Sequence, residues 1–377
     1  MIEVNGFCDD KFSAVRDAFI ENFADKDEVG ASMALTVEGE FVVDLWAGHK
    51  DVARTEFWQE DTIVNVYSTT KTMAALCAHV LADRGELDFH APVSKYWPEF
   101  AQNGKENVEV RHFLSHSAGL SGMDETMSAE DFYDWDKVVE ALARQAPWWE
   151  PGTASGYHAL TQGHLIGEVV RRITGKSIGA FFQSDIAQPL NADFHIGIGE
   201  EHFERIGDLI PPKENLATQT GGDKNSIAAR TFMNPAISAR ESKTTGWRKA
   251  EIPAANGHGN ARSVVRAQTA MANGGSAFGV DLLSAESAAR VFEEQTNGKD
   301  LVLGVPIRFG LGYGLNGDII PMGPNEHIAY WGGWGGSTIV IDQDAHLCMS
   351  YVMNNMFAGL LGDTRGFGLL QKAYGSL

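Results

Sequence analysis

Two β-rich stretches at opposite ends of the chain constrain the fold more than anything between them. Near the N-terminus, "ASMALTVEGEFVVDLWAG" places two apolar, β-branched runs around a turn at Glu38-Gly39-Glu40. Near the other end, "STIVIDQDAHLCMSYVMNN" repeats the arrangement around Asp342-Gln343-Asp344. Hairpins at both ends imply one antiparallel sheet assembled from both chain termini. Helical spacing over 10–24 and 361–374 supplies helices to flank it. The middle reads differently: residues 70–84, 108–116, 134–145, 159–174 and 176–187 carry helical periodicity, whereas 205–260 are polar, Gly/Pro-punctuated and read as loop-rich. The expected fold is therefore α/β, of the α+β kind. Residues 1–65 and 255–377 form the sheet domain, and a mostly helical domain, 66–254, is inserted between them. Such a junction is a usual place for a pocket.

A chain of 377 residues suits one large domain or two coupled ones, and 44% apolar residues leave room for a sizeable core. Thirty basic residues stand against 50 acidic ones, a net charge of −20, which repels nucleic acid and anionic membranes. No uncharged apolar run is long enough to span a bilayer, and no basic n-region precedes an apolar one at the N-terminus. Three cysteines, Cys8, Cys77 and Cys348, show no CxxC spacing. This pattern fits free thiols in a reducing cytoplasm.

The stretch "NVYSTTKTMAALCAHVLADRG" carries the most chemistry. Met73, Leu76, Cys77, Val80 and Leu81 recur with helical spacing. Ser68 and Lys71 lie three apart at the start of that helix, on one face and in reach of each other. A serine hydroxyl needs a base beside it to act as a nucleophile. An amine held among Ala74, Ala75 and Ala78 is costly to keep charged, so its pKa should fall into a useful range. On this fragment alone, an N-cap serine with a lysine snorkelling to water fits as well.

Further elements follow in order: "VEVRHFLSHSAGL", "PGTASGYHAL" with Tyr157 after the Pro151-Gly152 turn, "NGHGNARSVVRAQTAMANGG", and "WGGWGGS" before a strand. With the Ser68 helix these resemble the serine β-lactamase and penicillin-binding-protein superfamily. Most closely they resemble the class C-related esterases called family VIII carboxylesterases. The resemblance spans most of the chain and implies a β-lactamase-like fold. It makes Ser68 the acylated nucleophile, Lys71 its partner in proton transfer and Tyr157 a phenolic base kept partly ionised by that lysine. It places Trp331, Gly332 and Gly333 on the substrate strand, the paired glycines letting substrate lie close. Trp334 would offer its backbone N–H, with that of Ser68, to the oxyanion.

Two departures bear on the substrate. Where the lactamases carry Asn two places after the tyrosine, this chain has Ala159. Where they carry a lysine that holds the antibiotic's carboxylate, it has Trp331. Losing an amide and a cation argues for an acyl or aryl ester, with Trp148, Trp149, Tyr133 and Trp135 as further candidates for an aromatic wall. The expectation is a cytoplasmic serine carboxylesterase acting on short-to-medium acyl or aryl esters, needing no cofactor or metal, working as a monomer or homodimer. The alternatives are a weak β-lactamase, a D-aminopeptidase-like amidase or an acyltransferase using the same machinery. From other classes come a non-catalytic relic of the fold and a metallohydrolase.

Other signals have plainer readings. His112 and His116 are spaced i, i+4 but lack the glutamate of an HExxH site and read as structural hydrogen bonders. "GYGLNG" satisfies GxGxxG without a following helix and is rejected as a dinucleotide site. No GxSxG elbow is present, which counts against an α/β-hydrolase. His158 is left without a role.

Overall fold

The computed structural model describes residues 2–212 and 223–377. Strands β1 (Val4–Cys8), β2 (Gly30–Val37) and β3 (Glu40–Gly48) come from the N-terminal segment. Strands β4 (Thr296–Lys299), β5 (Pro306–Phe309), β6 (Gly314–Leu315), β7 (Ile328–Gly332), β8 (Thr338–Asp342) and β9 (Leu347–Met353) come from the C-terminal segment. They form one nine-stranded antiparallel sheet in the order β1-β3-β2-β9-β8-β7-β6-β5-β4. The two terminal hairpins meet at its centre, where β2 pairs with β9 and Ala34 faces Ser350.

The turns are specific. Glu38 and Gly39, at φ 52° and 80°, make a two-residue loop of the left-handed kind that matches strand twist, so Glu40 already belongs to β3. The C-terminal hairpin turns over 343–346, with His346 at φ 48°.

Helix α1 (Ser13–Asp25) follows a short 3₁₀ turn at Asp10–Phe12. The other long helices are α2 (Thr70–Asp83), α3 (Trp135–Arg144), α4 (Thr161–Thr174), α5 (Ala261–Ala272) and α6 (Thr364–Tyr374). The expected helix over 108–116 is a single turn at Val110–Leu114. That over 176–187 is split into Ile178–Phe182 and a π turn at Gln183–Ala187. Within 205–260 the chain is less loop-like than its composition implies, with helices at Ile227–Met233 and Thr245–Lys249. Residues 213–222 of that stretch lie outside the described residues.

Helix α5 crosses one face of the sheet. There the Thr36 and Thr269 hydroxyls lie 3.0 Å apart, and the Cys348 thiol reaches the Val265 carbonyl. Helices α1 and α6 lie together on the other face. Behind α5 sits α2: the Gln268 amide donates to the Thr72 carbonyl at 3.1 Å, and the Tyr313 hydroxyl meets Thr72 and Gln268. Helix α2 is thus enclosed by α5 on one side and the helical layer on the other, and every residue from Thr70 to Leu81 is buried. Its buried threonines satisfy themselves by bonding back to the preceding turn, Thr70 to the Tyr67 carbonyl and Thr72 to that of Thr69. Among the described residues no helix is long and apolar enough to cross a membrane.

Candidate active site

The chain enters α2 through a constrained turn. Val64 and Asn65 pair with His258 and Gly259, tying this entry to the segment that precedes α5. Tyr67 then adopts φ 45°, a left-handed backbone unusual for a bulky residue. Its ring packs 5.1 Å from that of Trp334, and its hydroxyl donates to the Ala239 carbonyl at 3.4 Å. This packing holds the strained residue in place. The 3₁₀ turn Tyr67–Thr69 leads into α2, and Ser68 emerges half-buried at the floor of a cavity of about 490 Å³.

Lys71 sits one turn further on, nearly sealed from solvent at 2% exposure. Its Nζ donates to the carbonyls of Ala159 and Ala254, both at 2.8 Å, and lies 3.3 Å from Ser68 Oγ. Burial drives the amine well below its ordinary range. No carboxylate among the described residues pairs with it. The Ala254 carbonyl is itself fixed: Asn65 donates to the neighbouring Ala255 carbonyl at 2.8 Å, Gly257 N–H donates to Thr70 at 2.8 Å, and a Cβ on Gly163 would stand 2.4 Å from Ala254 N. The snorkelling lysine is thereby excluded, because this amine points inward to three protein oxygens.

Tyr157 comes from the loop before α4, and its phenol donates to Ser68 Oγ at 2.6 Å. Its ring lies beneath Lys71, with Nζ 4.7 Å from the ring centroid. The loop is held by Asp300, a fully buried residue whose Oδ1 accepts from the N–H groups of Tyr157, Val302 and Leu303. Burial pushes the Tyr157 phenol upward, and the bond to Ser68 offsets only part of this. Burial thus opposes the partial ionisation expected of this phenol, as it opposes the charged form of the lysine beside it.

The Trp-Gly-Gly segment also departs from expectation. The cavity is lined by Ser68, Tyr157 and Trp334, but not by Trp331, Gly332 or Gly333. Trp331 stands behind Tyr157, with ring centroids 5.4 Å apart. A Cβ on Gly332 would come within 2.5 Å of the Leu361 backbone, and one on Gly333 within 2.1 Å of the Val66 carbonyl. The missing side chains thus admit neighbouring protein backbone, not substrate. They press the end of β7 against the chain entering Ser68, and Ser337 joins the two: its hydroxyl donates to the Val66 carbonyl at 2.8 Å and lies 2.9 Å from the Thr69 hydroxyl. Among the described residues neither the Ser68 nor the Trp334 backbone N–H has a hydrogen-bond partner, which leaves both free for an oxyanion.

The cavity walls are mostly apolar. Tyr67, Trp247, Trp334 and Phe232 supply the aromatic surface, with Leu160 and Ile237 beside them. None of the four residues anticipated for that wall lines the cavity. Trp148 stacks under Arg230, Trp149 bonds the Ala154 carbonyl, Trp135 bonds buried Glu168, and Tyr133 bonds Glu241. Sequence reasoning missed Asn65, Trp247, Asp300 and Ser337, since no local pattern marks a residue whose partner lies far along the chain.

The histidines are structural bonders. His112 Nδ1 accepts from Glu109 N–H in a capping box, and His116 Nδ1 accepts from His158 N–H. His158 Nε2 accepts from Leu120 N–H, which leaves its Nδ1–H for the Gly156 carbonyl. Among the described residues no three His, Cys, Asp or Glu side chains are grouped as a metal site.

A hydroxyl flanked by a buried amine and a buried phenol, beside two open N–H donors and a mostly apolar cavity, is equipped for acyl transfer. Comparison with known proteins agrees with that chemistry. A solved structure described as a family VIII carboxylesterase shares 43% identity over 100% of both chains, with a TM-score of 0.94. A penicillin-binding protein homologue from Caulobacter crescentus shares 37% over the same coverage, at a TM-score of 0.90. The esterase/beta-lactamase LipL of Mycobacterium tuberculosis is 34% identical, the match covering 97% of this chain and 86% of that protein. The model of the beta-lactamase family matches residues 15–367, and with that match over nearly its whole length the chain belongs to the beta-lactamase family.

Proposed function

We propose that this protein is a serine carboxylesterase that hydrolyses short-to-medium acyl or aryl esters through an acyl-enzyme on Ser68. The observation that carries the reading is the placement of Ser68 Oγ between the Tyr157 phenol at 2.6 Å and the Lys71 amine at 3.3 Å. A neutral amine has two N–H groups, and the carbonyls of Ala159 and Ala254 take both. Its lone pair then faces the serine hydroxyl, so Lys71 is the base that receives the Ser68 proton. The oxygen attacks the ester carbonyl, and the negative charge that develops is held by the N–H groups of Ser68 and Trp334. Tyr157, still protonated, gives its proton to the departing alkoxide and recovers one from the Lys71 ammonium. Water then cleaves the acyl-enzyme by the same steps in reverse.

The substrate class follows from the walls. Ala159 and Trp334 present no charge to the cavity, and its lining is mostly aromatic and aliphatic. The names of the relatives support an ester in the same way. One feature favours a secondary β-lactamase activity: Arg240 at the exposed rim is a cation with no carboxylate partner among the described residues, which suits an anionic substrate. The unpaired thiols of Cys8, Cys77 and Cys348 support a cytoplasmic setting.

The test is a panel of p-nitrophenyl esters graded by acyl length, with nitrocefin beside them, run on the wild type and on Ser68→Ala. The reading expects ester turnover well above nitrocefin turnover. It also expects loss of both turnover and fluorophosphonate labelling in Ser68→Ala. Full activity in that variant removes the assignment.

A further inference from the structure

The turn that presents the Trp334 N–H is braced from behind by a buried cluster that the acyl-transfer chemistry does not touch. Gly336 N–H donates to the Gly333 carbonyl at 3.1 Å, closing a β-turn with Trp334 and Gly335 at its centre. Gly335 and Gly336 sit at φ 105° and 127°, backbone that L side chains rarely adopt. A turn of two glycines is soft unless something fixes it. Gly335 N–H donates to the Gly359 carbonyl at 3.0 Å, and the side chain that fixes the turn is Arg365, from the first turn of α6. Its Nη2 donates to the Gly335 carbonyl at 3.0 Å.

Arg365 is itself held on every side. It is 0% exposed. Nη1 donates to Glu28 Oε2 at 2.9 Å and to the Asn355 carbonyl at 2.8 Å, while Nε and Nη2 both reach the Asp363 carboxylate. Phe357 stacks 3.8 Å from the guanidinium carbon, and its own N–H donates to the Gly335 carbonyl at 2.9 Å. Tyr351 donates to the same Glu28 oxygen that Arg365 uses. A Cβ on Gly336 would lie 2.2 Å from the Asp363 carboxylate, so the turn rests directly on the ion pair. A buried ion pair of this kind gives little net stability compared with apolar packing of the same volume. What it supplies here is direction: a planar guanidinium aimed at one carbonyl.

We propose that Arg365, oriented by Glu28 and Asp363, is a positioning residue of the reaction, holding the Gly335 carbonyl so that the Trp334 N–H faces the carbonyl oxygen of the substrate as it becomes an oxyanion. The inference rests on the ester-hydrolase reading above and adds a role for residues that reach no substrate atom. Oxyanion donors act only when they stand at the right place before the charge develops, and displacement of a catalytic group by about 1 Å costs on the order of 100-fold.

The test compares wild type, Arg365→Lys and Glu28→Gln in hydrolysis of p-nitrophenyl butyrate. Rates are normalised to active sites titrated with a fluorophosphonate. Inhibition by a trifluoromethyl ketone, whose adduct places an oxyanion in the same hole, is measured in parallel. A lysine keeps the charge but offers no planar fork. Arg365→Lys is expected to lower kcat per active site roughly 10- to 100-fold with KM within about twofold, and to weaken the ketone in proportion to kcat. Glu28→Gln should do the same to a smaller degree, about threefold to tenfold, and decides the matter if Arg365→Lys does not fold. Unchanged kcat per titrated site, or a loss shared equally with KM and not mirrored by the ketone, overturns the proposal. Absence of ester turnover in the wild type would overturn the esterase reading instead.

Discussion

The Ser337 hydroxyl donates to the Val66 carbonyl at 2.8 Å, joining the residue just before β8 to the chain that enters Ser68, although the two stand 271 positions apart. The bond is fully buried. Ser337→Ala leaves that carbonyl with only the long bond from Thr69 N–H at 3.4 Å and takes the partner from the buried Thr69 hydroxyl, a cost of about 1–3 kcal/mol. It also loosens the spacing between the Ser68 and Trp334 amides. We expect a lower Tm and a loss in kcat of roughly fivefold to 30-fold with little change in KM, measured by thermal denaturation and steady-state kinetics.

Lys71 acts as a base only when neutral. Its pKa is driven down by burial, the direction that favours the neutral amine, so activity should fall as acid protonates it. Lys71→Arg tests this, because guanidinium keeps its proton. The prediction is a loss in kcat/KM of about 1,000-fold or more that raising the pH to 9 does not recover. If the substituted enzyme kept substantial activity, the amine would be a charged stabiliser and not a base.

Tyr157 is assigned the proton that the leaving group needs. Alkoxides need that proton far more than p-nitrophenolate does. Tyr157→Phe should therefore slow ethyl or butyl ester hydrolysis by roughly 100- to 10,000-fold, and p-nitrophenyl ester hydrolysis by much less. Parallel losses on both substrate classes would assign the phenol to orienting Ser68 only.

Acid lability follows from the buried imidazoles. His79 and His164 are held down to about 4, and His158 and His258 to about 3, in each case chiefly by burial. In the unfolded chain each titrates near 6.5. Their contribution to stability is full above that value and is lost as pH falls toward the folded values, because only the unfolded state takes up the protons. Four such groups give a slope of up to roughly 5 kcal/mol per pH unit near pH 5. Glu28, raised to about 7 by burial, works the other way: its unfavourable term grows as pH rises from 4.5 and is complete above 7. Urea denaturation midpoints measured from pH 8 to pH 4 should fall steeply below 6.5, and a flat profile would contradict the burial of these side chains.

The parts of this molecule legible in the sequence are those whose determinants are local. The hairpin around Gly39 and the periodicity of Met73, Leu76, Val80 and Leu81 are written in neighbouring residues, and so is the proximity of Ser68 and Lys71. The opposite face of α2 was not legible, because its threonines look exposed until α5 is packed on them. Nor was the support of Tyr157, since Asp300 stands 143 positions downstream. The paired glycines misled for a related reason. A missing side chain makes space, but the sequence does not say whether substrate or the backbone of residues 361–362 fills it. The anticipated aromatic wall failed in the same manner: Trp148 and Trp149 lie near Tyr157 in sequence, whereas Trp247 and Phe232, which line the cavity, come from a stretch whose polar composition hid their helices.

The pairing of β2 with β9 fixes an order of events in making the protein. While the ribosome is still translating the middle of the chain, Gly30–Val37, buried along nearly its whole length in the finished protein, offers an open apolar edge with no partner yet synthesised. The sheet can close only after Leu347–Met353 has emerged. A message truncated before Leu347 should accordingly yield an insoluble product, however much of the catalytic segment it encodes.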